Sequence, residues 1–281
     1  MTFAGTEQHT LREPCTLEGV GLHTGAKGRV RLVPQPPGSG IVFRLDGAVT
    51  FPAHADYIVD TRRATVLGAA GRTVSTVEHV LSALCGMEVD NVLLDVTGPE
   101  IPIADGSART FVEAIESVGR TPQGAPRAEL ALDEPRVYRD ERGALVVLLP
   151  ADRWTVRFAV EFPSPVGAQY FAGALTSQTY RDGIAPARTF GYLHEVEALL
   201  AAGLAQGGSL ENALVFGPDG PLVPLRQPNE VVAHKVLDLI GDLALAGARP
   251  RFGVIALRSG HELHARVTRD LRSLRRSGLA S

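Results

Sequence analysis

A segment rich in proline and glycine, TPQGAPRAE at Thr121–Glu129, has no hydrophobic period and divides the chain into two stretches of similar length. Each stretch opens on strand-like apolar runs and closes on helical patterns. Gly28–Val33 and Gly40–Leu45 are the early strands of the first, followed by helices over Thr76–Cys85 and Ser107–Val118. In the second, Ala144–Leu149 and Trp154–Phe162 precede helices over Glu230–Ala246 and His264–Arg276. Strands then helices, twice over, predict two α+β units packed together rather than a Rossmann alternation. The second stretch also holds an apolar helical run, Tyr192–Ala202, and a glycine-rich loop at Gln206–Ser209.

Composition narrows the function. The 281 residues are 44% hydrophobic and 21% charged, enough apolar side chain for a packed core. A formal net charge of -3 leaves no electrostatic footprint for nucleic acid or an anionic membrane. Two cysteines, Cys15 and Cys85, are too few for a disulfide framework, and free thiols in a reducing compartment are expected. The N-terminal residues lack the charged and apolar regions of a signal peptide, and no apolar run approaches the ~20 residues of a membrane helix. The expectation is a soluble, cytoplasmic protein, with a monomer favoured.

The helix Val231–Gly247 places Val236, Leu239, Ile240, Leu243 and Ala244 on one face. His234, Asp238 and Asp242 recur every fourth residue on the opposite face. Such a stripe ordinarily meets water, yet this one holds an imidazole and two carboxylates. A histidine and an aspartate one turn apart can ligate a single divalent metal. In the first stretch, Val77, Val80, Leu81 and Leu84 form a core stripe, and Ser75 and Glu78 have the spacing of a capping box. A cap contributes about 1 kcal/mol and would account for the glutamate; it leaves His79, on the outward face, unexplained. Glu78 and His79 can equally supply a base and a metal ligand held side by side. Near the end, His261 sits on a turn after the apolar strand Gly253–Leu257, as apt for a catalytic group as for a surface histidine. Complete P-loop, H-E-x-x-H, G-x-S-x-G and dinucleotide-binding patterns are missing.

Seven segments in order carry a resemblance. They are GVGLHTG (Gly19–Gly25), STVEH (Ser75–His79), PEIPIADGS (Pro99–Ser107), ARTFG (Ala187–Gly191), GGSL (Gly207–Leu210), HKVLDLIGDL (His234–Leu243) and SGH (Ser259–His261). On these, nearly end to end, the chain resembles the UDP-3-O-acyl-N-acetylglucosamine deacetylases, the zinc amidases that carry out the committed step of lipid A biosynthesis.

The resemblance implies two similar two-layer α/β sandwich domains with the active site between them. Residues 1–124 would form the first, with a small β insert; residues 125–281 would form the second, with a βαβ-type insert at about 190–226 lining a hydrophobic passage. It implies one Zn2+ held by His79, His234 and Asp238, with Glu78 as general base. His261 would be the protonated second catalytic group, Asp242 the carboxylate that orients it, and Thr189 a donor to the oxyanion. Lys235, one of only two lysines among 28 basic residues, would contact the substrate. Phe190, Tyr192, Leu193, Val196 and Leu200, with Leu22, are the expected acyl wall, against ordinary core packing as the plain alternative. Phe162 is a stacking candidate for uridine. Gln227, Ala233 and His264 depart from the family's usual residues, the last standing where asparagine is common, and all three are expected to flank the substrate mouth. Two rivals remain at this point: the same chemistry on another N-acetylated sugar nucleotide, and a metal-stabilised binding protein without turnover.

Overall fold

A computed structural model describes residues 7–277. The chain begins with strands β1 (Glu7–Leu11), β2 (Cys15–Val20), β3 (Lys27–Pro34), β4 (Ile41–Leu45) and β5 (Val49–Pro52). Three short strands follow, β6 (Ile58–Asp60), β7 (Val66–Ala69) and β8 (Arg72–Val74), then α1 (Glu78–Gly86), β9 (Val92–Thr97) and α2 (Arg109–Val118). Beyond β10 (Arg120–Pro126) and β11 (Glu129–Ala131) come β12 (Arg136–Arg139), β13 (Leu145–Pro150), β14 (Thr155–Glu161), β15 (Ala168–Ala174) and α3 (Ser177–Gly183). The last part is β16 (Phe190–Tyr192), α4 (Leu193–Ala201), β17 (Leu214–Phe216), α5 (Glu230–Ala244), β18 (Arg249–Leu257) and α6 (His261–Ser277). The fold is mixed α+β.

The two large sheets repeat one pattern. The first runs β2-β3-β9-β4-β5 and the second β12-β13-β18-β14-β15. In each, the chain's last strand enters the middle, antiparallel to the second strand and parallel to the third. Alternation sets which side of each strand is buried: β3 buries Val30 and Leu32 and turns Arg29 and Arg31 outward. A three-stranded antiparallel sheet, β6-β7-β8, follows the first four sheet strands. In the second half β16 and β17 pair in parallel across α4, a βαβ unit.

The segment read as a linker is instead structured. β10 pairs antiparallel with β1, Pro126 opposite Glu7 and Pro122 opposite His9, while β11 adds to β18. A two-stranded ribbon is bonded along one edge only, so prolines that lack an N–H are tolerated on it. The expectation of a break in structure at Thr121–Glu129 is therefore corrected.

One continuous apolar core runs through both sheets and the helices, taking in Val30, Leu94, Leu81, Ile240, Val254 and Phe158. At its centre α1 and α5 pack on each other more extensively than any other two elements. Every residue of α1 except Cys85 is buried, and α5 is buried on all sides except at Lys235 and Ala244. The polar stripe of α5 thus meets the other half of the protein, not water. Their close approach depends on Gly241: a Cβ there would overlap the Glu78 carbonyl and stand 2.9 Å from the Glu78 Cα. Cys15 and Cys85 are free thiols. No helix among the described residues is long and apolar enough to cross a membrane.

Candidate active site

The chain enters α1 through Thr76, whose φ of 58° is left-handed. Val77 occupies the cap position without a side-chain bond. The expected capping box is absent: Ser75 Oγ lies against the Pro99 carbonyl at 3.5 Å, and the Glu78 carboxylate accepts the Thr65 N–H at 3.0 Å. A left-handed residue between the partners of the box diverts Ser75 and leaves the glutamate facing the second half. Glu100 holds this entry in place. Its buried carboxylate accepts from the Thr76 hydroxyl at 2.7 Å and from the N–H groups of His23 and Thr24 at 3.0 and 2.8 Å. A Cβ at Gly21 would collide with that carboxylate, which explains the glycine in GVGLHTG.

On the other side, Arg188 donates to Glu230 from Nε at 2.8 Å and from its second terminal nitrogen at 3.1 Å. This buried bidentate pair fastens the ARTFG segment to the start of α5. The Ala187 carbonyl then accepts His234 Nδ1–H at 3.0 Å, and the Ser107 carbonyl lies 3.5 Å from His79 Nδ1. Both rings are thereby turned so that Nε2 keeps its lone pair for the centre.

His79, His234 and Asp238 each offer a ligand atom, and the three atoms lie within 4.8 Å of one another. All three residues are buried. Burial holds His79 neutral, with a pKa of about 4 to which the neighbouring His234 contributes, and lowers that of His234. Burial opposes the charge of Asp238, but Lys235 and the surrounding imidazoles outweigh it and keep the carboxylate ionised. Two neutral imidazoles and a carboxylate fit one divalent cation with a position left open.

Beside the cluster, Glu78 Oε1 faces His261 Nε2 across 4.0 Å, and Asp238 Oδ2 lies 3.9 Å from the same nitrogen. His261 is the first residue of α6, which starts three residues earlier than its sequence pattern indicates. Its Nδ1 donates to Asp242 Oδ2 at 2.9 Å. Burial disfavours its charge, yet Asp242, Asp238 and Glu78 prevail and raise its pKa to about 9. Burial lifts Glu78 to about 8, Asp242 and Asp238 adding to the effect against His261. Asp242 also accepts the Thr65 hydroxyl at 2.6 Å.

These shifts give the metal-free protein a defined pH response. Glu78 and His261 bind protons more tightly when folded, so their stabilisation is lost as pH rises through about 8 and 9. His79 acts oppositely and costs stability as pH falls from 6.5 toward 4. Below pH 6.5 the trends offset; above it only loss remains. Thermal unfolding of chelated protein is expected to show stability falling between about pH 6.5 and about pH 9. Glu78→Gln should shallow that limb, and a wild-type limb that is flat would contradict the assignment.

A cleft of about 710 Å³ opens over the cluster, its wall including Leu22, Phe162, Thr189, Phe190, Tyr192 and Val196. Phe162 and Phe190 meet edge to face at 5.2 Å, and Phe190 stands edge-on to His234. The Tyr192 hydroxyl donates to the Pro163 carbonyl at 2.8 Å. α4 buries none of its residues, so Leu193, Val196 and Leu200 are wall, not core. Lys235 also lines the cleft, but its ammonium is bonded to Asp238 Oδ2 at 2.7 Å rather than free at the mouth. Gln227, Ala233 and His264 do not line the cleft. Gln227 donates to the Gly183 carbonyl and Ala233 is packed inside α5, which corrects their expected place at the substrate mouth.

Sequence reading missed Thr65, Glu100, Arg63 and the Arg188–Glu230 pair. Glu100 and Arg188 at least lie inside the quoted motifs. Arg63 lines the cleft from a left-handed turn (φ 68°), for which no local pattern gives notice.

Two buried histidines and a carboxylate that could hold a metal ion thus lie beside a facing carboxylate and imidazole, an arrangement compatible with the class of metal-dependent hydrolases. Comparison with known proteins agrees. A family model described as UDP-3-O-acyl N-acetylglycosamine deacetylase (LpxC) matches residues 8–273. Proteins named UDP-3-O-acyl-N-acetylglucosamine deacetylase are similar over most of their length. That of Syntrophotalea carbinolica is 42% identical over 94% of this chain and 87% of its own. That of a Nostoc species is 41% identical over 95% and 99%, and that of Myxococcus xanthus 44% over 95% and 86%. The chain belongs to the UDP-3-O-acyl-N-acetylglucosamine deacetylase family.

Proposed function

We propose that the chain is a zinc-dependent amidohydrolase that removes the N-acetyl group from UDP-3-O-acyl-N-acetylglucosamine, giving the free amine and acetate. The observation that carries this reading is the facing pair of Glu78 and His261 beside the His79, His234 and Asp238 cluster, at the foot of an apolar cleft. His79, His234 and Asp238 would hold one Zn2+. When bound, zinc supplies Lewis acidity toward the acetamide carbonyl and lowers the pKa of the attacking water.

Glu78 takes the proton of that water on the carboxylate oxygen facing His261, its other oxygen being held by the Thr65 N–H. The Thr189 hydroxyl, on the cleft wall, donates to the oxyanion that develops on the amide oxygen. His261, charged by Asp242, gives its Nε2 proton to the departing nitrogen as the C–N bond breaks. The acyl chain lies along Phe190, Tyr192, Val196 and Leu22, and Phe162 stacks on the uracil. Lys235 secures Asp238 and borders the sugar. On this reading the repeated sheets mark two sandwich domains joined over the site, divided after residue 124, with residues 1–6 and 278–281 of the expected bounds lying outside the described residues, and the protein works in the cytoplasm.

The test is acetate release from the acylated UDP-sugar and its unacylated counterpart. Each buried methylene contributes about 0.8 kcal/mol, so an acyl chain in the cleft should raise kcat/KM at least ~100-fold. Chelation should abolish turnover and one equivalent of zinc restore it. Equal turnover of both sugars would point to a different N-acetylated sugar nucleotide. No turnover by the zinc-loaded protein would remove the reading.

A further inference from the structure

His264 lies one turn along α6 from His261 and is completely buried. Its ring is fastened at both ends: Nδ1 is 2.8 Å from Asp242 Oδ2 and Nε2 is 2.8 Å from Ser259 Oγ. The Phe158 ring closes over it edge to face. An ionised carboxylate only accepts, so Nδ1 carries the proton; burial disfavours a second proton on the ring, and the neutral ring's Nε2 accepts from the Ser259 hydroxyl. Asp242 therefore receives three donors, Thr65 on one oxygen and the two histidines on the other. Two donors converging on one oxygen, with a third on its twin, leave the carboxylate a single rotation about its Cβ–Cγ bond. That rotation aims His261 at Glu78.

We propose that His264 is a positioning residue for the reaction: its Nδ1–H locks the Asp242 carboxylate in the orientation that holds His261 across from Glu78. The inference rests on the acid role given to His261 above. His264 is more than a spacer, because the tie to Asp242 runs through one particular ring atom.

Side-chain amides can separate the two ends of the ring. Asparagine places an N–H donor where Nδ1 stands, and glutamine places one near Nε2. With wild type releasing acetate, His264→Asn should keep kcat within about threefold, whereas His264→Gln and His264→Leu should lower it roughly 30- to 100-fold, the range of outer-shell partners. KM and zinc content should stay unchanged in all three, and comparable melting temperatures establish folding. In ¹⁵N-labelled wild type the His264 ring should appear as the neutral Nδ1–H tautomer. Equal kcat in the Asn and Gln variants, a loss confined to KM or to zinc content, or an Nε2–H tautomer would overturn the proposal. A wild-type protein that binds zinc and releases no acetate would instead overturn the function, while the tautomer still tests the tie to Asp242.

Discussion

Glu78→Gln should cut the rate of acetate release by roughly 10³-fold, the scale of a lost general base in a positioned site, with zinc content unchanged. Glutamine is isosteric, and its carbonyl oxygen can still accept the Thr65 N–H that anchors the wild-type carboxylate at 3.0 Å. The side chain is buried and fixed from both sides, so the variant removes basicity with little movement. Glu78 belongs to no ligand cluster, so the cation stays. Because Gln cannot accept the water's proton, the deficit should appear in kcat and not in KM. Measured together, acetate release and metal content by elemental analysis decide the point. Activity within tenfold of wild type, or parallel loss of zinc, would show that Glu78 is not the base.

Much of the scaffold could be read from the sequence because it is written in local periodicity. The strands named from apolar runs, such as Gly28–Val33 and Ala144–Leu149, lie within a residue or two of β3 and β13. The readings that stayed open or failed depend on what sits opposite. The stripe of α5 was visible at four-residue spacing, but helical periodicity cannot distinguish a face against water from one against α1. Ser75 and Glu78 have capping-box spacing, and only the left-handed Thr76 stops the box from closing. Prolines in Arg120–Pro126 suggested a linker because the partner strand, Glu7–Leu11, lies far away in sequence. The same separation hid the hold of Glu100 on His23 and Thr24, and of Thr65 on Asp242. His264 showed only as an unusual residue; its bond to Asp242 spans two elements and follows from no spacing within either.

Gly241→Ala should do what Glu78→Gln does not and weaken zinc binding, together with the fold. The added Cβ points into the backbone of Glu78, overlapping its carbonyl and standing 2.9 Å from its Cα. Neither helix can yield as a flexible side chain would, since α1 and α5 are both buried among other elements. Relief requires the axes to part, and overpacking of this kind costs about 1–3 kcal/mol or more. His79 rides on α1, while His234 and Asp238 ride on α5, so any parting enters the ligand distances directly. A metal site tolerates only about 0.2 Å of error in those distances. Zinc affinity should therefore fall by roughly 10²-fold, comparable to loss of an outer-shell partner, while melting drops by several degrees. Competition with a chromophoric chelator and a thermal melt of the metal-free protein give the two values. Gly183→Ala is the control, because a Cβ at Gly183 meets nothing within 4 Å. If Gly241→Ala binds zinc like wild type, the crossing of α1 and α5 does not set the spacing of the ligands, and the glycine is there for packing alone.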